Sequence, residues 1–68
     1  MSIRDRRRQL GITQQELADR SGVTQQAIHY LEQGRFWPSM PTAKKIAGVL
    51  DLSMDALHAA LRQSREEA

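Results

Sequence analysis

Gln14-Gln15-Glu16-Leu17-Ala18-Asp19-Arg20-Ser21-Gly22-Val23-Thr24-Gln25-Gln26-Ala27-Ile28-His29-Tyr30-Leu31-Glu32-Gln33 is the stretch that decides the fold. Thr13, just before it, stands three residues from Glu16, the spacing of a capping box that opens a helix. Thr24 is the cap of the next helix. Only Ser21-Gly22-Val23 separates the two, a turn too short to lay them antiparallel, so the pair must cross steeply. Such a crossing needs particular residues. Ala18 must be small because the second helix passes close above it. Gly22 supplies a positive φ at little steric cost. Val23, Ile28 and Leu31 plug the crossing into a core. All five positions are filled by suitable residues.

The same start and stop signals recur on both sides. Ser2, with Asp5 in the capping-box position, opens a first helix that Gly11 ends after Leu10. Gly34 terminates the third helix in the position of a left-handed cap. Ser39 opens a fourth, in which Pro41 is tolerated because first-turn amides lack intrahelical acceptors. Ser53 opens a fifth, expected to run to about Ser64 with Glu66-Glu67-Ala68 as a frayed acidic tail. No alternation long enough for a strand appears. The apolar positions Leu17, Ala18, Ile28, Leu31, Ile46, Ala47, Leu50, Leu57 and Leu61 fall on one face of each helix. Val23 and Leu52 precede caps, where staple residues bury. The expected fold is all-α, a compact five-helix orthogonal bundle with the steep pair as helices two and three. Residues 1–68 form a single domain with its core at about 2–64.

Sixty-eight residues bury only roughly 60% of the surface their unfolded chain exposes. There is no cysteine, so neither disulfides nor thiolate metal sites add stability. No apolar run approaches the ~20 residues that span a bilayer, and the N-terminus leads into charge rather than an apolar signal segment. A cytoplasmic protein is expected, without membrane contact. The formal net charge of +2 is unevenly placed. Residues 1–45 hold eight Lys or Arg against four acidic residues, whereas residues 46–68 hold two against four. A basic front suggests a polyanionic partner.

The outer face of the third helix narrows the choice. At ~100° per residue, Thr24, Ala27, Ile28 and Leu31 share one side, and Gln25, Gln26, His29, Tyr30 and Gln33 fall opposite. That face is polar, neutral and rich in amides. A glutamine amide places a donor beside an acceptor, which matches N6 and N7 of adenine in the major groove. Charge alone gives phosphate affinity; reading sequence needs groups of this kind. Gln25, Gln26, His29 and Tyr30 are therefore the candidate base-reading residues, although His29 and Tyr30 suit a phosphate or a neighbouring side chain equally well.

The stretch Gly11-Ile12-Thr13-Gln14-Gln15-Glu16-Leu17-Ala18 with Ser21-Gly22-Val23-Thr24-Gln25-Gln26-Ala27-Ile28 resembles the phage repressor/Cro and Xre-type helix-turn-helix family. The resemblance continues through Leu31-Glu32-Gln33-Gly34-Arg35, Pro38-Ser39, Ile46-Ala47 and Leu52-Ser53-Met54-Asp55-Ala56-Leu57. It implies a lambda repressor-like DNA-binding fold. By the same resemblance, residues matching Gln25 and Gln26 read bases, and the one matching Gln14 holds a phosphate while supporting the first base contact. The arginine matching Arg7 pairs with the glutamate matching Glu32 and leans toward the DNA backbone. Candidate phosphate contacts are then Arg7, Gln14, Thr24, Gln33, Arg35 and Trp37. Three places depart from the pattern. Tyr30 replaces a third glutamine. The loop Arg35-Phe36-Trp37-Pro38-Ser39 carries two aromatics, Phe36 suited to packing under the loop and Trp37 to either a phosphate or a dimer contact. Arg6-Arg7-Arg8 is denser in charge than a first helix requires, with Arg6 and Arg8 expected on solvated surface.

One helix in one groove reads too few base pairs for genomic specificity, and the family solves this with a two-fold dimer on half-sites about 34 Å apart. Helix five, with Leu50-Asp51-Leu52 and an Ala56/Ala59/Ala60 surface, is the candidate contact; closing the monomer core is the other use of the same residues. The expected partners are double-stranded DNA and a second copy, the expected role a transcriptional repressor on a palindromic operator, and no small-molecule ligand or cofactor is implied. An enzyme is not expected, because His29 and His58 have no nucleophile or carboxylate around them. Nor is a metal site, because no second ligand pair stands at helical spacing. An antitoxin-type DNA-binding protein, or a helix-turn-helix module that docks a protein partner instead, shares the same architecture.

Overall fold

A computed structural model describes residues 1–67. The chain folds as α1 (Ile3–Gln9), α2 (Gln14–Ser21), α3 (Gln25–Glu32), α4 (Met40–Leu50) and α5 (Met54–Glu67), with no strand among the described residues. The caps explain the starts. Ser2 and Asp5, and likewise Thr13 and Glu16, form reciprocal capping boxes, so each pair satisfies two otherwise orphaned amides. The Thr24 hydroxyl accepts from the Ala27 amide at 3.1 Å. The Ser53 hydroxyl does the same for the Ala56 amide. Ser39 stands at the start of α4 without a side-chain cap; its hydroxyl bonds that of Thr42 at 3.2 Å instead.

α2 packs on α3 and α4, while α5 closes the bundle against α1, α3 and α4. Ile3, Leu17, Ala18, Ile28, Leu31, Ala43, Ile46, Ala47, Leu50, Leu57, Ala60 and Leu61 form one core cluster. Ile12, Val23, Phe36, Val49, Leu52 and Met54 pack against its edge. Gly22 ends α2 at φ 70°, and the Val23 amide returns to the Ala18 carbonyl at 3.1 Å. Ala18 is fully buried where the turn brings α3 across. Among the described residues no helix is long and apolar enough to cross a membrane.

Two expectations change. α5 does not stop at Ser64 but continues to Glu67, so Glu66 and Glu67 belong to a helix rather than a frayed tail; Ala68 lies outside the described residues. The reason is docking. Ser64 is buried, its hydroxyl accepting from the Ile3 amide at 3.0 Å and donating to the Ala60 carbonyl at 2.9 Å, which holds this part of α5 against α1. Arg6 is not plain solvated surface. Its Nε donates to the Leu50 carbonyl at 2.9 Å, supplying a donor to the last turn of α4, where Asp51 takes the left-handed conformation at φ 54°. Ala60 and Leu50 lie in the core, which is the other use the sequence allowed them and leaves neither to meet a second copy.

Gly34 shows where the fold tolerates no side chain. Gly11 and Gly34 have φ of 70° and 72°. A Cβ on Gly11 meets nothing within 4 Å, whereas one on Gly34 falls 2.3 Å from the Arg65 Cα. Both alanine substitutions carry the left-handed strain, about 1 kcal/mol; only Gly34→Ala must also push the α5 backbone away. Urea unfolding should therefore show Gly11→Ala destabilised by about 1 kcal/mol and Gly34→Ala by at least about 3 kcal/mol.

Candidate nucleic-acid interface

The site is the side of α3 turned away from the core. Ile28, Leu31 and Glu32 are buried, while Gln25, Gln26 and His29 are exposed and Tyr30 is half-buried. The amphipathic spacing thus sets four groups with hydrogen-bonding capacity on one surface of two helical turns. The Gln26 Nε2 donates to the Tyr30 hydroxyl at 2.9 Å, one turn along the same face. The Arg35 guanidinium lies 5.1 Å from the Tyr30 ring centroid, within cation–π range. The His29 ring is tilted against Tyr30 at 6.0 Å.

A buried carboxylate fixes the other side of α3. The side chain of Glu32 is fully buried. Arg7 reaches it through Nε at 2.6 Å and Nη2 at 3.3 Å, Gln14 through Nε2 at 3.1 Å, and Arg4 through Nε at 3.4 Å. Arg7 also donates to the Ile12 carbonyl at 3.0 Å. Burial raises the affinity of Glu32 for a proton, but the hydrogen bonds from Arg7 and Gln14, the Arg7 charge and the Arg4 contact outweigh it and hold its pKa below the ordinary glutamate value. Arg4 was not singled out from the sequence; its spacing of three from Arg7 on one helix face was the available signal.

The sequence-derived phosphate candidates separate into three groups. Thr24, Arg35 and Trp37 are exposed, although Thr24 also caps α3 and Trp37 stacks on His58 of α5 at 5.9 Å. Arg7 and Gln14 are half-buried and committed to Glu32. Gln33 does not stand on the exposed face where its spacing placed it. It is half-buried, its amide oxygen is buried without a partner, and it lines a cleft with Arg4, Glu32, Arg35 and Glu67. The physical reason is tertiary: its backbone still follows the helix, with its backbone amide on the His29 carbonyl, but Arg4 of α1 and Glu67 of α5 close in on the cleft its side chain lines.

Two capped helices, a three-residue turn with Gly22 in left-handed conformation, and a second helix buried on one side and amide-rich on the other coincide with the sequence match of residues 3–57 to the family model described as Helix-turn-helix. The chain belongs to the helix-turn-helix family. An uncharacterized HTH-type transcriptional regulator of Methanothermobacter thermautotrophicus is 54% identical over 48 residues, 71% of this chain and 70% of that protein. Another, from Archaeoglobus fulgidus, is 42% identical over 55 residues, 81% of this chain and 79% of its own. No solved structure matches the chain. In this helix-turn-helix domain α2 is the supporting helix and α3 the one whose outer face is free.

Removing the Arg7 side chain leaves Glu32 with only Gln14 and Arg4. Arg7→Ala should lower unfolding stability by about 3 kcal/mol at neutral pH. Because the folded-state pKa of Glu32 is depressed, its contribution is present above the unfolded glutamate value, about 4.3, and is lost as pH falls through the folded value. Asp5, whose pKa the backbone and hydroxyl hydrogen bonds of Ser2 also lower, acts in the same direction. Thermal unfolding should thus show a midpoint that is level from pH 7 to about pH 5 and falls below it. In Glu32→Gln the fall should be shallower, the remainder belonging to Asp5.

Proposed function

We propose that this chain is a sequence-specific transcriptional regulator that sets α3 into the major groove of double-stranded DNA and reads bases with Gln25 and Gln26. The observation that carries this reading is the free, uncharged, amide-bearing face of α3, opposite a side locked by Ile28, Leu31 and the paired Glu32. An α-helix about 10–12 Å across fits a groove about 12 Å wide. Membership in the helix-turn-helix family, and relatives named as transcriptional regulators, support the same conclusion. His29 and Tyr30 lie further along the same face, where they meet the groove's edge. Thr24, Arg35 and Trp37 border it and suit phosphate oxygens, which position the helix without specifying sequence. Arg7 and Gln14 act there chiefly through Glu32, by fixing α3. Gln33 is the weakest of the phosphate candidates, since its amide oxygen is already buried.

The operator is read as a palindrome by a homodimer, in this proposal repressing transcription. With Ala60, Leu57 and Leu61 in the core, the surface of α5 left for a partner is the exposed Ala59 and the half-buried Ala56, beside the Trp37–His58 stack. Small residues let a second helix approach closely, and the stack adds apolar area at the edge. Sedimentation on operator DNA should give two chains per duplex; one chain on a single half-site excludes the dimer.

Selection from random duplex DNA tests the reading as a whole. The wild type should enrich adenine-containing half-sites about one helical turn apart, and Gln25→Ala/Gln26→Ala should relax that preference by roughly 1–3 kcal/mol per lost bidentate contact. Binding that enriches nothing and disappears at moderate salt would reduce the interaction to counterion release.

A further inference from the structure

Tyr30 stands where the phage repressors that this sequence resembles carry a glutamine. Its side chain is engaged on two sides: the hydroxyl accepts from the Gln26 Nε2 at 2.9 Å, and the Arg35 guanidinium covers the ring at 5.1 Å. We propose that Tyr30 is a positioning residue, which sets the amide of Gln26 in the orientation that selects adenine and does not itself read a base. The inference rests on the DNA-reading function proposed above.

The chemistry turns on the two faces of an amide. A glutamine has one carbonyl acceptor and two N–H donors, and its end group turns through half a circle at little cost. When Nε2 gives one hydrogen to Tyr30, the carbonyl oxygen and the second N–H remain. One acceptor beside one donor fits adenine, whose N6–H2 donates and whose N7 accepts. In the reverse orientation the carbonyl oxygen takes the phenolic hydrogen, and two N–H donors remain, which fits the O6 and N7 acceptors of guanine. Tyr30 therefore stands between two specificities of one side chain.

DNA decides between them. In the orientation found here the phenolic hydrogen stays available, and the edge of the groove is rich in acceptors, phosphate oxygens above all. Every donor of the pair is then satisfied on binding. The reverse orientation spends that hydrogen on Gln26, so the phenolic oxygen turns only lone pairs toward the phosphates; the pair keeps as many free donors, but none at the groove's edge. Arg35 holds the ring from the loop after α3, so the hydroxyl is in place before DNA arrives. Gln26, exposed and otherwise mobile, has thereby lost part of its rotamer freedom in advance, which favours specific over non-specific binding.

Tyr30→Phe removes the oxygen and keeps the ring under Arg35. Two readouts test the proposal. In the free protein, the side-chain amide resonances of Gln26 should shift in Tyr30→Phe while the backbone resonances of α2 remain in place; unchanged Gln26 amide signals would overturn the contact itself. On DNA, the base pair read by Gln26 is the one whose preference Gln26→Ala abolishes. There the adenine-over-guanine preference should fall about tenfold in Tyr30→Phe, on top of a uniform loss on every sequence from the missing phenol–phosphate contact, and in a Gln26→Ala background the substitution should leave the base preference unchanged. An equal loss on every sequence with the adenine-over-guanine preference intact would make Tyr30 a phosphate contact or a structural residue only and overturn the proposal. A loss confined to a neighbouring base pair would make it a direct reader, with the same consequence. A wild type without any sequence preference would overturn the DNA reading, whatever the amide resonances show.

Discussion

The carboxylate of Glu32 joins the last turn of α3 to α1 through Arg7 and Arg4, and to the start of α2 through Gln14. A charge without solvent is tolerated only when it is paired and hydrogen-bonded. Four donors do this here, from residues far apart in the chain. Because the partners come from different helices, they can all be satisfied in only one arrangement of those helices. The angle at which α3 leaves the domain is thus set by a polar requirement as well as by the apolar plug of Ile28 and Leu31.

With one side of α3 so constrained, the opposite side is free to carry chemistry. Eight residues make little more than two turns, enough for four outward groups and no more. Their neighbours are organised rather than random: Tyr30 receives Gln26 and lies under Arg35. Arg35 is brought there by Gly34, whose missing side chain lets the loop approach the α5 backbone. Packing at the far end of the bundle therefore influences the surface that would face DNA. α5 extends this logic, since its length depends on Ser64 docking against the first residues of α1.

Much of this was legible in the residues. Capping boxes at Ser2/Asp5 and Thr13/Glu16, and the cap at Thr24, use side chains bonding to amides three residues away, so local sequence suffices to place them. The exposed positions Gln25, Gln26 and His29 follow from the same helical period that buries Ile28 and Leu31. Legibility failed where long-range partners decide. Arg6 reads as one more surface cation until α4 ends beside it. Gln33 reads as the next residue of an exposed face until α1 and α5 are seen to close in on it. Ala60 reads equally as surface or as core until α5 is seen turned toward the core.

By itself, the sequence determined the number of helices, their starts, the steep turn at Gly22 and the amide character of the α3 face, because each depends on contacts within about four residues or on a fixed rotation per residue. The tertiary structure alone decided which arginines meet Glu32, how far α5 runs, which of its alanines remain outside, and that the cation of Arg35 covers the Tyr30 ring. Those outcomes require side chains distant along the chain, or conformations beyond a helix end, to meet at hydrogen-bonding distance. No local period encodes such meetings; they follow only when the whole core has closed.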